Sequence, residues 1–558
     1  MARKFTGKQI LMQALKAEGV RYVFGNPGTT ELPLMDSLLE HPEIEYILAL
    51  HEAVAVSMAD AYAQSSGDVG VVNLHVGPGL GNGLGSIYNA WEGQTPLVVT
   101  AGQQDNRMRL REPLLGHDLV AMAKPLTKWS VEAQSADELP LVLNRAFKTA
   151  RETPSGPVFV SLPINIMEQE TTHPPMPPSE IFLRTPPDPA AVDAAAEILI
   201  NSRRPLIICG DKVARSGATQ ALVELAELVG APVYSVVLPA RLNFPNQHPQ
   251  FRDRMANDQA AMRARVGDSD VVLMVGGEFF EETWFADADP FPRAATLVQI
   301  DPAPANLGRN YRVDVGLQAD PGLALRCFTE RLKDAADDAF IAAAVERRLQ
   351  LEKEKRAAQK AQAEKAAAPP GNRPLSSARL MAELAKALPD NVCVASEAIT
   401  ASPDMLRTLD FKTPSDLLMS RGGGIGQGLP SALGLKLANP ERPVICLSGD
   451  GSACYTLQAL WSAAHHGIAV VFLIINNGGY RILKLNMDRY RREAHIAADR
   501  PYPHMDLTRP AVDFVRIAGG FGVEGKRVNH PHELGAAIRT AFESGGPYLL
   551  DVAVDGAL

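Results

Sequence analysis

The feature that most constrains the fold of this chain is a repeated alternation of short apolar runs with helical stretches. In residues 1–185 the apolar runs are YVFGN, YILAL, VGVVNLH, PLVVTAG and PVFVSLP. Short apolar runs separated by helical segments are typical of parallel sheets with helices on both faces. The same alternation returns in residues 186–340 and in residues 374–558. The pattern therefore predicts an α/β protein with three doubly wound domains and parallel sheets.

Two segments of different composition separate these three units. Residues 171–189, TTHPPMPPSEIFLRTPPDP, are rich in proline, which favours an extended linker. Residues 341–373 are strongly charged and end in PPGNR, a composition typical of a solvated connecting helix that stops at proline and glycine. We predict domains at 1–185, 186–340 and 374–558, with 341–373 as a linker.

The overall composition limits the expected kinds of partner and the expected cellular compartment. The formal net charge of −9 at pH 7 predicts no basic face, so nucleic acid is not an expected partner. The longest apolar run, IAVVFLII at 468–475, is too short to span a bilayer. The first residues, MARKFTGKQILMQALKAEGV, are typical of an amphipathic helix rather than a signal peptide. Five cysteines without CxxC spacing are predicted to be buried thiols of a reducing compartment, so we expect a cytoplasmic protein.

Oxygen-bearing side chains follow two apolar runs of the third segment. VICLS leads into Gly449, Asp450 and Gly451, and AVVFLII leads into two asparagines, the second of which is Asn477. The carboxyl ends of parallel strands lie at one edge of a sheet, where ligands of open α/β sheets bind. Because a helical segment between the runs would make their strands neighbours, we expect the two side chains to lie close together. With a backbone carbonyl they form an oxygen set that suits Mg²⁺ or Ca²⁺.

The residues around Asp450 also suit an anion. Gly449 and Gly451 allow the backbone to approach a phosphate, and the N–H groups of Gly451 and Ser452 are donors at the start of a helix. The combination predicts a metal-bridged diphosphate site. The alternative is purely structural, with Asp450 as a helix N-cap and the glycines as a tight turn.

The stretch GDGSACYTLQAL…NNGGY resembles the thiamine-diphosphate signature, which begins at GDG and ends at NN. Further motifs along nearly the whole chain are similar to those of the benzoylformate decarboxylase and acetolactate synthase superfamily: YVFGNPGTTELPLMDSL, ILALHEAVAVSMADAYA, VNLHVGPGLGNGLGSIYNAW, PLVVTAGQQ, ARLNFPNQHPQF and GGGIGQGLPSALG. The resemblance implies a thiamine-diphosphate-binding fold, in which 1–185 is the pyrimidine-binding domain, 186–340 the central domain and 374–558 the diphosphate-binding domain.

The same resemblance implies the cofactors and their ligands. Thiamine diphosphate and Mg²⁺ are the expected cofactors, with Ca²⁺ as an alternative metal. The implied metal ligands are Asp450, Asn477 and the carbonyl oxygen of Gly479. The implied cofactor contacts are Glu52, Thr400, Gly424, Ile425, Gly449, Asp450, Gly451, Ser452, Asn477, Gly479 and Tyr480.

Three residues take catalytic roles by the resemblance. Glu52 in LHEAVAV matches a glutamate that hydrogen-bonds a ring nitrogen of the cofactor, a role its apolar neighbours suit because desolvation favours sharing a proton. His75 in NLHVGPG matches a proton-transfer histidine, and Thr29 in NPGTTELP matches a serine that hydrogen-bonds the substrate. Ile425 matches the aliphatic residue that bends the cofactor. Without the motifs, Glu52 would be an ordinary first-turn helix residue and His75 a structural strand-end histidine.

Several positions depart from the resemblance. The stretch 275–292 has no histidine where benzoylformate decarboxylase has a second one, and Thr283 or Trp284 is expected near that place. Asn486 stands where relatives have a bulky aromatic residue, so we expect a differently shaped and more polar pocket. Leu115 replaces a glutamine of acetolactate synthases, whose GMHG-like run and arginine-rich flavin contacts are also missing. No bound flavin is therefore expected. The dipeptide His465-His466 is interpreted as a packing or surface pair.

These observations predict an enzyme that cleaves a 2-oxo acid by decarboxylation and can join the resulting carbanion to an aldehyde. The alternatives are an acetolactate-synthase-like carboligase acting on pyruvate and a non-catalytic homologue that binds the cofactor. A nucleotide-dependent dehydrogenase is not supported, because the glycine-rich runs HVGPGLGNG and RGGGIGQG lack the GxGxxG spacing. The resemblance implies a homotetramer built from dimers, with active sites at the dimer interfaces.

Overall fold

The computed structural model describes residues 3–279, 281–367, 374–497 and 499–557. Within these ranges the backbone forms three six-stranded sheets that follow one another along the chain. Every strand pair of the three sheets is parallel. The prediction of three α/β domains with parallel sheets is confirmed.

The first domain contains one six-stranded sheet and a small antiparallel pair. Its strands are β1 (Phe5–Thr6), β2 (Tyr22–Gly25), β3 (Glu45–Leu48), β4 (Gly70–Leu74), β5 (Leu97–Gln103), β6 (Ser130–Glu132), β7 (Val158–Pro163) and β8 (Glu170–Thr171). Its helices are α1 (Gly7–Ala17), α2 (Leu32–Leu38), α3 (Glu52–Ser66), α4 (Val76–Glu92), α5 (Leu119–Ala123), α6 (Leu139–Arg151) and α7 (Ile164–Glu168), with 3-10 helices at Thr29–Glu31, Asn106–Arg111 and Lys124–Leu126. The sheet order is β3-β2-β4-β5-β7-β6, and β1 pairs with β8.

The central domain contains the second sheet. Its strands are β9 (Pro205–Cys209), β10 (Val233–Ser235), β11 (Phe251–Arg254), β12 (Val271–Val275), β13 (Thr296–Asp301) and β14 (Val315–Gln318). Its helices are α8 (Pro189–Ile200), α9 (Asp211–Arg215), α10 (Thr219–Val229), α11 (Gln259–Val266) and α12 (Pro321–Ala335), with a 3-10 helix at Pro304–Asn306. The sheet order is β11-β10-β9-β12-β13-β14.

A long helix, α13 (Asp338–Ala367), leads to the third domain. The strands of that domain are β15 (Cys393–Glu397), β16 (Leu417–Met419), β17 (Val444–Gly449), β18 (Val471–Asn476), β19 (Glu524–Val528) and β20 (Tyr548–Ala553). Its helices are α14 (Ser377–Ala387), α15 (Ser402–Thr408), α16 (Gly428–Ala438), α17 (Asp450–Ala453), α18 (Ala459–His465), α19 (Arg481–Glu493), α20 (Phe514–Gly520) and α21 (Pro531–Glu543). The sheet order is β16-β15-β17-β18-β20-β19.

The first and third sheets share one topology, and the central sheet has another. Counted from the first strand of each sheet, the first and third orders are both 2-1-3-4-6-5, whereas the central order is 3-2-1-4-5-6. The central order is that of dinucleotide-binding folds. A GxGxxG spacing does occur at Gly520–Gly525, but there it follows α20 and enters β19. A dinucleotide fingerprint needs the reverse order, strand then helix, so this match carries no nucleotide site.

Helix packing fixes the first domain against the third. Gly434 of α16 lies so close to α3 that a Cβ there would be 2.1 Å from the Met58 carbonyl oxygen. Nearer the ends of both helices, Asn439 donates to the hydroxyl of Ser65 at 2.8 Å. One buried apolar cluster continues from the first domain into the third. The two sheets therefore keep a fixed relation within the chain.

Three smaller expectations have mixed outcomes. The charged segment predicted as a connecting helix is α13, and the end of the predicted linker, 368–373, lies outside the described residues. Cys454 is exposed and Cys327 half-buried, so the prediction of five buried cysteines is wrong for these two. None of the described helices is both long and apolar enough to cross a membrane. The domain boundaries themselves stay predictions.

Candidate active site

Asp450, Asn477 and Gly479 meet at the carboxyl edge of the third sheet. Strands β17 and β18 are neighbours, with Gly449 opposite Ile475, so the residues that follow both strands emerge side by side. Asp450 Oδ2 and Asn477 Oδ1 accept hydrogen bonds from the N–H of Gly479 at 3.0 and 3.1 Å. The structure thus brings together the three residues that the sequence proposes as metal ligands.

The carboxylate of Asp450 is buried, with 3% of the residue exposed. Burial raises the pKa of Asp450, while hydrogen bonds from the N–H groups of Gly451, Gly478 and Gly479 lower it. A buried carboxylate without a cationic partner is costly, and within the described residues no basic side chain is among the main causes that act on the pKa of Asp450. Together with the Asn477 amide and a backbone carbonyl, the carboxylate fits a divalent cation with oxygen ligands.

The backbone beside Asp450 has room for an anion. A Cβ at Gly449 would meet no atom nearer than 4.0 Å, whereas a Cβ at Gly451 would lie 2.5 Å from the ring of Tyr480. The N–H groups of Gly451 and Ser452 belong to the first turn of α17, where the helix offers them no backbone carbonyl as acceptor. Space and donors at this point fit the diphosphate group of a cofactor.

A returning segment holds the loop that follows β18. The N–H of Tyr480 donates to the carbonyl of Met505 at 3.0 Å, and the N–H of Leu507 donates to the carbonyl of Gly478 at 2.9 Å. These two bonds fix the backbone on both sides of Gly479. The position of the Gly479 carbonyl therefore depends on a segment that lies beyond α19 in the chain.

Further residues with proposed cofactor contacts lie on the same edge. Thr400 follows β15 in a turn and is partly buried. Gly424 and Ile425 lie in the loop between β16 and α16. Ile425 is 41% exposed, so its side chain is available for contact with a ligand.

Glu52 lies at the carboxyl edge of the first sheet. It is the first residue of α3, which starts shortly after β3, and it is 7% exposed. The side chain of Asn82 on α4 donates to Glu52 Oε2 at 3.0 Å. A Cβ at Gly79 would lie 3.1 Å from Glu52 Oε1, so α4 needs a small residue at this point. One carboxylate oxygen is therefore held by an amide and the other lies against glycine backbone.

His75 follows β4 at the same edge and is held by a carboxylate. His75 Nδ1 lies 2.7 Å from Glu31 Oε2. Glu31 also accepts the N–H of Gly28 at 2.7 Å, the N–H of Gly102 at 2.8 Å and the hydroxyl of Thr30 at 2.8 Å. Because an ionised carboxylate only accepts hydrogen bonds, His75 Nδ1 carries the proton and Nε2 is left for other partners.

Glu31 is a functional candidate that the sequence reasoning missed. It lies in the motif NPGTTELP, in which the resemblance points to Thr29 and not to Glu31. The structure leaves Thr29 exposed, while the hydroxyl of Thr30 lies 3.4 Å from His75 Nδ1. The signal that could have found Glu31 is its position after the end of β2, next to the strand that precedes His75.

Comparison with known protein families identifies the family to which the chain belongs. Residues 5–122 match the N-terminal binding domain of thiamine pyrophosphate (thiamine diphosphate) enzymes. Residues 192–328 match the central domain and residues 400–552 the C-terminal binding domain of the same enzymes. The chain belongs to the family of thiamine-diphosphate-dependent enzymes. The resemblance stated from the motifs is confirmed.

Individual relatives cover almost the whole chain. Benzoylformate decarboxylase of Pseudomonas aeruginosa is 32% identical over 545 residues, 97% of each chain. A probable acetolactate synthase large subunit of Methanococcus aeolicus is 28% identical, over 98% of this chain and 92% of its own. Among solved structures, 4-hydroxybenzoylformate decarboxylase of Rhodococcus jostii RHA1 has a TM-score of 0.86 at 29% identity, and benzoylformate decarboxylase of Polynucleobacter necessarius 0.86 at 28%, each over 99% of both chains.

In this thiamine-diphosphate-dependent enzyme the central domain reaches α19, the helix that starts after Tyr480. The guanidinium of Arg489 lies 4.7 Å from the ring centroid of Trp284 and forms an ion pair with Asp258 at 2.8 Å. Asn257 accepts from the N–H of Thr283 and donates to its hydroxyl at 2.9 Å. The segment expected in place of a second histidine is thus attached to the helix that carries Asn486.

His466 joins the first and third domains of the enzyme. Its Nε2 accepts the N–H of Leu48 at 2.9 Å, and the hydroxyl of Ser462 donates to the Leu48 carbonyl at 3.0 Å. The ring of His465 stacks on Trp461 at 4.5 Å. Both histidines therefore pack, as interpreted from the sequence, and neither lies among the residues of the candidate site.

A crevice of about 330 Å³ lies between the first domain and the carboxyl edge of the central sheet. Beside it, Lys212 bridges Glu278 at 2.9 Å and Asp301 at 2.8 Å. Gln94 of the first domain donates to Glu278 at 2.8 Å, so the polar groups at this edge bond to one another across two domains. The expectation that no flavin binds stays a prediction.

Proposed function

We propose that the enzyme decarboxylates a 2-oxo acid with thiamine diphosphate and Mg²⁺, and that it can join the resulting acyl carbanion to an aldehyde. The observation that carries this proposal is the Glu31–His75 pair beside Glu52, since it supplies oriented proton-transfer groups that cofactor binding alone does not require. The similarity to benzoylformate decarboxylase over 97% of the chain supports the same reaction class.

The third domain would hold the cofactor by its diphosphate. Asp450, Asn477 and the Gly479 carbonyl would bind the metal, and the N–H groups of Gly451 and Ser452 would donate to phosphate oxygens. Ca²⁺ fits the same oxygen set. When bound, thiamine diphosphate supplies a carbon nucleophile and an electron sink. The protein's own contribution is binding, orientation and proton transfer.

The first domain would supply the proton-handling groups. Glu52 would share a proton with a ring nitrogen of the cofactor, and Asn82 fixes its carboxylate for that purpose. His75 would exchange a proton at Nε2 with the reacting carbonyl, while Glu31 holds Nδ1 and the ring orientation. Thr29 would hydrogen-bond the substrate. Loss of CO₂ and uptake of one proton then balance the conversion of the 2-oxo acid into an aldehyde.

An acetolactate-synthase-like carboligase acting on pyruvate is the second candidate. The observation that favours it is the lack of a histidine in 275–292, where benzoylformate decarboxylase has its second one; Thr283 or Trp284 is near that place, and Trp284 packs against Arg489. The similarity to acetolactate synthase subunits is 28% over almost the full chain. A non-catalytic homologue is a distant third, because the Glu52 and His75 surroundings are intact.

We further propose that a second copy of the chain completes each site. Helix α4 starts after His75, and its residue Asn89 contacts Gly424 in the loop that carries Ile425. At 1.5 Å per residue, His75 and Asn89 lie about 20 Å apart along the helix. This separation supports a site shared between two subunits, and the proposed homotetramer built from dimers rests on the family resemblance. The absence of paired cysteine spacing supports a reducing compartment, and we propose the cytoplasm.

The function is tested with a panel of 2-oxo acids. CO₂ release is measured with the purified enzyme, thiamine diphosphate and Mg²⁺, with and without an added aldehyde. Release from aryl or branched 2-oxo acids without aldehyde supports the decarboxylase. Acetolactate formation from pyruvate as the dominant reaction supports the carboligase. No release from any acid, although thiamine diphosphate binds, supports the non-catalytic homologue.

The shared site is tested by mixing two inactive variants. Glu52→Gln and Asp450→Ala chains each lack one half of the site, so a hybrid dimer regains one complete site and some activity. Subunit exchange is monitored with differently labelled chains. Exchange without any recovery of activity contradicts a site shared between subunits.

A further inference from the structure

Ile425 lies in the glycine-rich loop between β16 and α16. Residues 420–427 contain four glycines, and Gly422, Gly423 and Gly426 have φ values of 79°, 80° and 98°. Glycine backbones lose more conformational freedom on ordering than other residues do. Bonds from outside the loop must therefore hold Ile425 in one position.

Asn89 of the first domain holds the loop on one side of Ile425. Its Oδ1 accepts the N–H of Gly424 at 3.0 Å and its Nδ2 donates to the Gly424 carbonyl at 3.4 Å. Asn89 is 3% exposed. A Cβ at Gly424 would lie 2.5 Å from Asn89 Oδ1, so the contact requires glycine in the loop.

Glu397, at the end of β15, holds the loop on the other side. Its two carboxylate oxygens accept the N–H groups of Gly426 and Gly428, both at 2.7 Å. Glu397 is 4% exposed, and burial raises its pKa to about 7 while these N–H groups lower it. Thr456 donates to the Gly426 carbonyl at 2.7 Å. The backbone on both sides of Ile425 is thus fixed, while the Ile425 side chain itself stays exposed.

We propose that Asn89 and Glu397 are positioning residues that hold Ile425 in place for the cofactor. The proposal rests on the proposed function of the site. It assigns a role to two buried polar side chains whose bonds to the described residues converge on the backbone next to Ile425. Since Asn89 lies on the helix that follows His75, the same helix supports a proton-transfer group at one end and the Ile425 loop near the other.

The first test compares Asn89→Ala with Asn439→Ala. Both asparagines join the first domain to the third, but Asn439 bonds Ser65 at the far end of α3. Affinity for thiamine diphosphate with Mg²⁺ is measured by titration calorimetry. We expect Asn89→Ala to weaken binding about tenfold, the size expected when buried backbone groups lose their partner, and Asn439→Ala to change it less than about twofold. Equal affinities in both variants and the parent would overturn the proposal.

A double-mutant cycle separates positioning from a general loss of stability. Gly424→Ala places a methyl group against the amide of Asn89 and should weaken cofactor binding in the parent enzyme. Asn89→Ala removes the three nearest atoms that this methyl group meets. In the Asn89→Ala background, Gly424→Ala should therefore weaken cofactor binding much less than it does in the parent. Additive effects of the two substitutions contradict a direct contact that positions the loop.

The second residue is tested with Glu397→Gln against Asp416→Asn. Asp416 is a carboxylate of the same domain that accepts the N–H groups of Lys412 and Thr413, both at 2.8 Å, away from the Ile425 loop. Glutamine places an amide donor against the N–H of Gly426 or of Gly428. We therefore expect Glu397→Gln to bind the cofactor about tenfold more weakly than the parent does, and Asp416→Asn to bind it about as tightly as the parent. Folding of each variant is checked by circular dichroism.

The outcomes distinguish this proposal from the proposed function. If the parent enzyme binds no thiamine diphosphate, the function fails. If the parent binds it and releases CO₂, while Asn89→Ala and Glu397→Gln bind it as tightly as the parent, only the positioning roles fail. Should Glu397→Gln prove unfolded, the Asn89 and Gly424 cycle decides, and additivity there overturns the proposal.

Discussion

The carboxyl edges of the first and third sheets have the same strand order but different chemistry. At the first edge, Glu31, Glu52 and His75 form a set of acid and base side chains joined to one another or to amides. At the third edge, Asp450 and Asn477 converge on the backbone N–H of Gly479. One topology thus places acid and base side chains at one edge and a set of oxygen-bearing groups at the other.

The difference shows that topology fixes where a site lies, while the residues at the strand ends decide what it does. In the first domain the residues follow β2, β3 and β4, and in the third domain they follow β17 and β18, so in each domain they come from the ends of paired strands. A buried glutamate that accepts backbone N–H groups also occurs in both. Glu31 has Thr30 and His75 as further side-chain partners, whereas within the described residues Glu397 bonds to backbone N–H groups alone.

The difference between the two sheet edges depends on Asp450 as a metal ligand at the third edge. Asp450→Ala removes the carboxylate of the oxygen set, so thiamine diphosphate binding in the presence of Mg²⁺ should fall more than about 100-fold, beyond what loss of an outer partner costs. Binding is measured by calorimetry. Asp270→Ala, which removes a carboxylate bonded to Ser202 in the central domain, is the control and should bind as the parent. Tight cofactor retention by Asp450→Ala contradicts the assignment.

The next test separates the two proton-handling residues of the first domain. Glu52→Gln should slow exchange of the C2 proton of the bound cofactor in deuterium oxide, before any substrate is present. His75→Ala should keep near-normal exchange but lose turnover by roughly 100- to 10,000-fold, the range for one positioned acid–base group. Proton NMR and CO₂ release are the measurements. Normal exchange in Glu52→Gln, or full turnover in His75→Ala, returns that residue to a structural role.

Glu397 should make stability depend on pH. Its pKa is raised from 4.5 to about 7 by burial, so its stabilising contribution is complete below pH 4.5 and is lost as the pH rises through 7. The loss amounts to about 3 kcal/mol for a shift of this size. Glu397→Gln cannot ionise at this position. Its free energy of unfolding relative to that of the parent should therefore increase between pH 5.5 and pH 8.5. The free energies of unfolding are measured by urea denaturation at both pH values. If the difference between the variant and the parent is the same at pH 5.5 and pH 8.5, the prediction is wrong.

The smallest effect is expected for Glu31, which acts only through His75. Glu31→Gln keeps one acceptor oxygen, replaces the other by an amide donor and no longer stabilises a charged ring, so we expect kcat to fall about tenfold, less than for His75→Ala. The affinity for thiamine diphosphate should stay as in the parent, because the hydrogen-bond partners of Glu31 among the described residues all lie in the first domain. Loss of cofactor binding together with kcat indicates a folding defect instead.

The sequence by itself determined the fold class and one half of the site. Apolar runs buried on both faces predict parallel sheets, and GDG and NN each follow such a run, so Asp450 and Asn477 had to emerge at one edge if their strands were neighbours. The motifs also determined the family. All of these signals lie within short stretches of chain, where local periodicity and residue type carry the information.

Only the tertiary structure decided the contacts between distant segments. Glu31 meets His75, 44 residues away, because β2 pairs with β4, and Asn89 meets Gly424, 335 residues away, because the first domain packs on the third. The shared strand order of the first and third sheets and the link between Trp284 and Arg489 are of the same kind. Strand order and domain packing arise from the sum of many weak apolar contacts, so no single motif in the sequence records them.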